Sequence, residues 1–242
     1  MNSNVTMKVA HTGVNKNKSL ITAQVLKDAL MRPLYTGDKS KRDKMVKYNI
    51  IAFVGEAGSG KDTIMRKVLE RSPHLHEIVS CTTRPPREGE IDGINYHFMS
   101  PEVFGDKVVH GEMLEASCFN DWFYGTGYES LRSDCYNIGV FNPEGIESLR
   151  AHPGVAVDVY YVRATDKNRL LRQLNRETNP DVHEIIRRFR ADMIDFEDLD
   201  FPHENLPNNN EDDLEFSVNL VCDRYAAEGL DPALQVDKDN ID

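Results

Sequence analysis

A glycine-rich segment carries the first residues whose types and spacing could do chemistry. It reads Gly55-Glu56-Ala57-Gly58-Ser59-Gly60-Lys61-Asp62-Thr63. Glycines permit a tight turn whose successive N–H groups face an anion, and a lysine at the end of such a turn reaches the β- and γ-phosphates of a nucleotide. The alternative is an ordinary glycine turn between a strand and a helix. The apolar run before the segment and the helical pattern after it favour a phosphate loop, in which the whole segment binds ATP and Lys61 is catalytic.

Asp62 departs from this motif, because a serine or threonine normally follows the lysine and binds Mg²⁺ through its hydroxyl. A carboxylate is also a hard oxygen ligand suited to Mg²⁺, directly or through water. It would equally add negative charge beside the phosphates and weaken ATP binding. The sequence leaves both roles open. It makes Asp62 the candidate metal ligand and Mg²⁺, arriving with ATP, the expected cofactor.

A second segment, residues 80–98, combines arginines with aromatic residues. Arg84 and Arg87, three positions apart in a proline-stiffened loop, form a candidate clamp for a dianionic phosphate. Tyr96 adds a hydroxyl donor. A surface salt-bridge cluster with Glu88 and Glu90 is the competing interpretation. Residue chemistry alone does not choose between the two.

The elements that must position these segments follow an α/β pattern. The run Tyr48–Val54 is apolar on both faces from Ile50 onward, which is typical of a buried parallel strand, and Lys61 to about Arg71 is helical. Further strands are predicted at Tyr136–Asn142, Val155–Val162 and Phe216–Cys222. Further helices are predicted at Asp166–Glu177 and at Val182–Leu199, the latter with an apolar face of Ile185, Ile186, Phe189, Met193 and Phe196. Strands alternating with helices predict a parallel-sheet core flanked by helices.

Charge and composition exclude several classes of protein. The formal net charge is −11, which argues against general nucleic-acid binding. Residues 1–48 are basic and residues 192–242 are strongly acidic, which indicates either solvation or a binding role. The apolar runs are too short to cross a membrane, and the N-terminus lacks a secretory signal, so a cytoplasmic location is expected. The four cysteines show neither zinc-ligand spacing nor a disulfide framework.

The second segment closely resembles the signature of the guanylate kinase family. That signature reads Thr-Thr-Arg-x-x-Arg-x-Gly-Glu-x-x-Gly-x-x-Tyr-x-Phe, and Thr82 to Phe98 fits it throughout. The resemblance spans about Lys47 to Gly229. It implies a P-loop NTPase-type parallel-sheet core, an inserted lobe that binds a nucleoside monophosphate (NMP), and a helical lid. It also implies that Arg84, Arg87 and Tyr96 hold the phosphate of the acceptor nucleotide.

The resemblance continues into a second substrate segment at residues 111–126. It implies that Glu115 accepts hydrogen bonds from the guanine edge, assisted by Ser80 and Thr126, while Tyr124 contacts phosphate. A carboxylate suits guanine because N1–H and the 2-amino group are adjacent donors. A solvated helix residue is the alternative for Glu115.

The resemblance places lid arginines at Arg176 and at either Arg187 or Arg188, of which we favour Arg188 because it precedes the apolar Phe189. Fixed cations there would stabilise charge on the transferring phosphoryl group. A second departure is Asn142, where the family usually has an acidic residue. This change puts strict guanine specificity in question.

The resulting hypothesis is a nucleoside monophosphate kinase acting on ATP and on GMP or dGMP. One alternative is a broader deoxynucleoside monophosphate kinase, and another is a non-catalytic guanylate-kinase-like binding module. The expected organisation is a basic extension (1–46), a guanylate-kinase-like domain (47–229) and an acidic tail (230–242). Within the domain we expect an NMP-binding lobe (80–131) and a lid (166–190). No nucleic acid or membrane partner is expected.

Overall fold

The computed structural model of the protein describes residues 48–226, apart from residues 88, 120, 121 and 177. The predicted extension and acidic tail lie outside these residues. The strands are β1 (Tyr48–Val54), β2 (His76–Glu77), β3 (Cys81–Thr82), β4 (His97–Phe98), β5 (Met113–Phe119), β6 (Trp122–Gly127), β7 (Tyr136–Val140), β8 (Val155–Arg163) and β9 (Glu204–Pro207). The helices are α1 (Lys61–Arg71), α2 (Pro101–Val109), α3 (Pro143–Ala151), α4 (Asp166–Leu174), α5 (Val182–Asp195) and α6 (Glu211–Arg224).

The central sheet has five parallel strands in the order β2-β7-β1-β8-β9. Side chains alternate between the two faces of a strand, and both faces of β1 are covered. Ile51 and Phe53 pack into a core shared with α1 and α6, whereas Ile50 and Val54 pack into a second core shared with α3. The predicted parallel-sheet core flanked by helices is therefore confirmed.

A smaller sheet occupies the stretch where the strand–helix alternation breaks down. Its order is β4-β3-β6-β5, with β6 antiparallel to both β3 and β5. Helix α2 covers one face, where Phe104 and Val108 pack with Met113 and Phe123 in a third core. This sheet supports Ser80 and Tyr96 at strand ends and carries Glu115 and Tyr124 within its strands.

The prediction of a strand at Phe216–Cys222 is wrong, because this stretch belongs to helix α6. Alternating apolar residues suggested a strand, but the buried positions are Leu214, Ser217, Val218 and Val221, which follow helical spacing. Asn210 caps the helix, since its side chain accepts a hydrogen bond from the Asp213 N–H. The fifth strand of the central sheet is instead β9, which pairs with β8.

Other boundaries shift by a few residues. Helix α4 ends at Leu174 and α5 at Asp195, both short of the predicted ends, and β7 ends at Val140. The predicted apolar face of α5 is also partly wrong, because Ile186 is 44% exposed and Met193 is 63% exposed. The helix buries Ile185, as predicted, together with Asp192, which was not predicted. It packs along one narrow side, so the wider apolar stripe remains in solvent.

Candidate active site

The carboxyl ends of the parallel strands meet along one edge of the sheet, where ligands bind in open α/β folds. The phosphate loop, residues 55–60, follows β1, and Asn142 follows β7. Helix α4 follows β8, and Asn208 follows β9. The topology therefore brings the phosphate loop, Asn142, helix α4 and Asn208 to the same edge of the sheet.

Glycine backbone conformations shape the phosphate loop. Gly58 and Gly60 have φ values of 80° and 90°, in the left-handed region that favours glycine. A Cβ atom added at Gly58 would lie 2.5 Å from the carbonyl oxygen of Arg169, so a larger residue would also collide with α4. Gly60 is the N-cap of α1 and supplies no side-chain cap. The first N–H groups of the helix thus remain available to an anion.

The loop carbonyl groups are held from behind by side chains of α4 and by Asn208. Arg172 Nη1 donates to the Gly58 and Ser59 oxygens at 3.3 and 3.0 Å, and Gln173 Nε2 donates to the Ala57 oxygen at 3.3 Å. Asn208 Nδ2 donates to the Ser59 oxygen at 2.8 Å. A trans peptide unit points its N–H away from its C=O. These contacts therefore favour loop N–H groups that face away from α4.

One cavity of about 530 Å³ joins the loop to the smaller sheet. Most of the predicted site residues line it, namely Gly55, Ala57, Gly58, Gly60, Lys61, Asp62, Thr63, Ser80, Arg84, Arg87, Tyr96, Glu115, Tyr124, Arg176 and Arg188. Three predicted residues do not line it: Glu56 accepts a hydrogen bond from Arg169, Ser59 is fully buried, and Thr126 is buried beside Glu115. The volume is that of a small-molecule site.

Arg84 is held by Glu90 in a two-pronged ion pair, with both N···O distances at 2.9 Å. Its guanidinium carbon also lies 5.4 Å from the ring centre of Tyr96 and 5.6 Å from that of Phe98. Arg84 and Glu90 thus form an ion pair, as the competing interpretation proposed, but the pair is largely buried, with side chains 6% and 18% exposed, and does not lie on the surface. The same arginine still lines the cavity, so the ion pair fixes it there.

Arg87 stands in a different electrostatic state. Its Nε atom is buried without a hydrogen-bond partner in the described part of the chain. Burial lowers the pKa of this guanidinium, and repulsion from Arg84, Arg188 and Arg176 lowers it further. Several cations therefore crowd one wall of the cavity, which is the arrangement that an anion would relieve.

Glu115 lies on β5 and is 4% exposed, so the alternative of a solvated helix residue is wrong. Thr126 Oγ1 donates to Glu115 Oε1 at 2.8 Å. Burial raises the pKa of Glu115 to about 7, although the hydrogen bond from Thr126 lowers it. A Cβ atom at Gly145 would lie 3.2 Å from Glu115 Oε2, so glycine leaves room beside this oxygen.

Asn142 is the N-cap of α3, and both ends of its amide are used. Oδ1 accepts the Gly145 N–H at 2.7 Å, and Nδ2 donates to Ser117 Oγ at 2.8 Å. An aspartate could form the first contact but could not donate to Ser117. The departure at this position therefore replaces a charge with a neutral amide that donates to the Ser117 hydroxyl.

Arg187 and Arg188, on helix α5, share one carboxylate. Glu184 accepts from Arg187 Nε at 2.7 Å and from Arg188 Nε at 2.6 Å. The hydrogen bond from Arg187, followed by that from Arg188, lowers the pKa of Glu184 to about 2 despite partial burial. Both arginines line the cavity, and Arg188 is the less exposed, at 24% against 42%. Arg176 follows the end of α4 and lines the same cavity.

Sequence reasoning missed a group behind the loop, which consists of Arg169, Arg172, Gln173 and Asp192. Asp192 Oδ2 accepts the Ala57 N–H at 2.7 Å and Arg169 Nη2 at 3.0 Å. A signal was present, because Asp192 is an acid three residues after Phe189 on the apolar face of a helix. An acidic residue on such a face is rarely buried without a partner.

The donor set fits a Mg²⁺ ion that arrives with a nucleotide. Asp62 lines the cavity on the first turn of α1, and its side chain is 53% exposed. Residues 48–226, so far as they are described, hold no cluster of three or more His, Cys, Asp or Glu side chains placed for a metal. Mg²⁺ that is bound by phosphates and water needs only one or two protein carboxylates.

No described helix has the length and apolar character required to span a bilayer.

Comparison with known proteins agrees with this geometry. The chain is 45% identical over 82 residues to a guanylate kinase of Chlorobium luteolum, and 33% identical over 117 residues to one of Helicobacter pylori. These matches cover 34% and 47% of this chain but only 40% and 57% of the curated relatives. A crystal structure of guanylate kinase from Anaplasma phagocytophilum shares the fold, with a TM-score of 0.54 and 17% identity over 74% of this chain and 85% of that one.

The family described as guanylate kinase matches residues 47–219, which is most of the chain. This match includes the phosphate loop, the arginine segment and helices α4 and α5. The chain belongs to the guanylate kinase family.

Proposed function

We propose that this protein transfers the γ-phosphate of ATP to GMP or dGMP, giving GDP or dGDP. One observation carries the proposal. The phosphate loop and the buried Glu115 line the same cavity, and a wall of arginines lines it as well. A cavity lined in this way can bind a polyphosphate, a guanine edge and the phosphate of an acceptor nucleotide.

Residues 55–63 would hold the phosphates of ATP, and Lys61 would contact the β- and γ-phosphates. Arg84, Arg87, Tyr96 and Tyr124 would hold the acceptor phosphate. Glu115 would bind the base with Ser80 and Thr126. A buried carboxylate that accepts two adjacent donors rejects a base without them, because it would otherwise remain unpaired.

Positioning and charge neutralisation would then accomplish the transfer, without a protein nucleophile. Arg176 and Arg188 would meet the charge that develops on the transferring phosphoryl group. For Arg188 this requires release from Glu184. Closure of the proposed lid, residues 166–190, over the proposed NMP-binding lobe, residues 80–131, would exclude water.

Mg²⁺, when bound with ATP, would neutralise charge on the β- and γ-phosphates. Asp62 is the residue that would hold it. We expect Asp62→Ala to reduce the gain in ATP affinity that Mg²⁺ provides, while Asp62→Asn, which keeps an oxygen ligand, reduces it less. Calorimetric titration of ATP with and without Mg²⁺ measures this gain. An unchanged gain in Asp62→Ala would contradict the ligand role.

The test of the proposed function is a coupled assay of the purified protein with GMP, dGMP, AMP, dTMP and CMP as acceptors. We expect turnover with GMP or dGMP well above that with the other bases. Absence of turnover with both guanine nucleotides would overturn the proposal. We also propose a cytoplasmic location for the protein, which is consistent with a reaction that consumes ATP.

A broader deoxynucleoside monophosphate kinase is the second candidate, and Asn142 favours it. Its Oδ1 already accepts the Gly145 N–H and its Nδ2 donates to Ser117, so this position offers a second guanine donor a partly used neutral oxygen in place of a carboxylate. Comparable rates with two or more bases in the same assay would support this candidate. Tight GMP binding without ATP binding would instead support a non-catalytic module.

A further inference from the structure

Asp192 and Arg169 form a buried ion pair that is attached to the phosphate loop. Their side chains are 1% and 3% exposed. Arg169 lies on α4 and Asp192 on α5, so the pair joins the two helices of the proposed lid. The guanidinium also lies over the ring of Phe189, 4.6 Å from its centre, which fixes its plane.

This pair fixes the peptide units on both sides of Ala57. Asp192 Oδ2 accepts the Ala57 N–H at 2.7 Å, and Arg169 Nε donates to the Ala57 carbonyl oxygen at 3.3 Å. Arg169 Nη1 also donates to Glu56 Oε1 at 3.3 Å. The donor and acceptor of one loop residue are thus both bound to the lid helices. The Ala57 carbonyl points toward α4, and the Gly58 N–H on the same peptide unit points the opposite way.

Stability alone is a weak reason for burying this pair. Two buried charges lose their hydration, and apolar residues of similar volume are often as stable or more so. Asp192 Oδ1 is moreover buried without a hydrogen-bond partner in the described residues, which adds to the cost of burial. What an apolar pair could not do is accept the Ala57 N–H and donate to the Ala57 carbonyl.

We propose that Asp192 and Arg169 are positioning residues that hold the phosphate loop in its ATP-binding shape and tie that shape to the lid helices. The inference rests on the proposed binding of ATP by this loop. It does not depend on which nucleotide accepts the phosphate. Asp192 also lines the cavity, but its Oδ2 is occupied by the Ala57 N–H and by Arg169, so both residues can act through the backbone of Glu56, Ala57 and Gly58 without touching ATP.

Calorimetric titration with Mg·ATP tests the proposal directly. We expect Asp192→Ala to weaken ATP binding about tenfold or more, because it frees the Ala57 N–H and removes the buried partner of Arg169 Nη2, leaving Arg169 paired only through Nη1 with Glu56 and Asp166. Asp192→Asn keeps an acceptor oxygen, so the loss should be smaller. Asp195→Asn, an exposed position on the same helix, is the matched control and should bind ATP like the wild type.

A double variant separates positioning from a purely structural role. Arg169→Leu with Asp192→Leu replaces the buried charges by apolar groups and should melt near the wild-type temperature. We expect it still to bind ATP about tenfold more weakly, with a raised KM for ATP and an unchanged KM for the acceptor. Recovery of both melting temperature and ATP affinity in the double variant would overturn the proposal.

The same titrations separate failure of this inference from failure of the proposed function. Wild-type protein that binds ATP but does not phosphorylate GMP or dGMP would contradict the proposed reaction and leave the positioning role measurable. Wild-type affinity retained in Asp192→Ala would contradict the positioning role alone. Absence of ATP binding in the wild-type protein would contradict both.

Discussion

The two ends of the cavity are prepared for their ligands in different ways. At the phosphate loop, side chains of α4, α5 and Asn208 satisfy the backbone, so its shape is fixed without a ligand. The other end carries Arg87 and Glu115; we propose that it binds the acceptor nucleotide, and we call it the acceptor end. Its backbone is strand and turn, and its unsatisfied groups are charged side chains. Arg87 is repelled by other arginines, and Glu115 is buried with no cation among the described residues shifting its pKa.

This difference teaches where binding energy should come from at each end. A preformed loop gives up little conformational entropy when it binds phosphates. At the acceptor end, by contrast, the repelled arginine and the buried carboxylate are electrostatically unfavourable in the ligand-free protein. A bound phosphate and a bound guanine edge would remove this cost. Substitutions in the loop region should therefore reduce binding and turnover, whereas substitutions at the acceptor end should also stabilise the ligand-free protein.

Removal of the loop cation should have the largest effect. We expect Lys61→Met to reduce kcat by about 10²–10³-fold, because the protein loses one fixed positive charge that would face the transferring phosphoryl group. The melting temperature should change little, since the Lys61 ammonium only approaches Asp62, at 3.9 Å, and the Asp62 side chain is 53% exposed. Steady-state kinetics and thermal melting measure the two quantities. Lys67→Met, on the same helix, is the control, and equal losses in both variants would contradict the role of Lys61.

At the acceptor end, Glu115→Gln should reduce kcat/KM for GMP by roughly 10²-fold, because an amide cannot accept both guanine donors without presenting its own NH₂. The wild-type KM for GMP should rise as pH falls below about 7, where Glu115 takes up a proton. The variant should lack this pH dependence. A GMP titration series between pH 5.5 and 8.5 compares the two proteins, and parallel profiles would contradict the prediction.

Although Glu115→Gln should reduce kcat/KM, it should raise the free energy of unfolding. The pKa of Glu115 in the folded protein, about 7, lies above its ordinary value of 4.5. The folded state therefore holds the proton more tightly, and the associated stability is present at low pH and lost as pH rises through 7. Glu115→Gln removes this loss, so at pH 8 we expect a free energy of unfolding higher by roughly 2–3 kcal/mol. Urea denaturation at pH 5 and pH 8 measures the difference.

The smallest effect is expected at Arg87. Arg87→Met should raise the KM for GMP about tenfold and should modestly raise the melting temperature of the ligand-free protein, because it removes a repelled, partly desolvated cation. Arg150→Met, an exposed arginine on α3, is the control and should change neither quantity. A lower melting temperature in Arg87→Met would contradict the prediction, because it would show that this arginine stabilises the ligand-free protein.

Local patterns predicted the parts of the fold that are governed by local physics. The strand at Tyr48–Val54 is buried on both faces, and its continuous apolar run reflects this. The glycines of the loop are needed for backbone angles that other residues rarely adopt. The strand prediction at Phe216–Cys222 was wrong because the apolar residues there fit both the two-residue period of a strand and the 3.6-residue period of a helix. The helix is the form observed, because Asn210 caps it and because Val218 and Val221 pack against α1.

For the candidate site, the sequence by itself determined which chemical groups are available: a phosphate loop, an arginine segment and an acid at position 115. These are contiguous motifs, so their spacing along the chain carries the information. Only the tertiary structure decided the environment of each group. Asp192 reaches Ala57 across 135 residues of chain, and Glu115 acquires its raised pKa from its burial on strand β5 of the smaller sheet. Such contacts and desolvation depend on packing between distant segments, which no local pattern encodes.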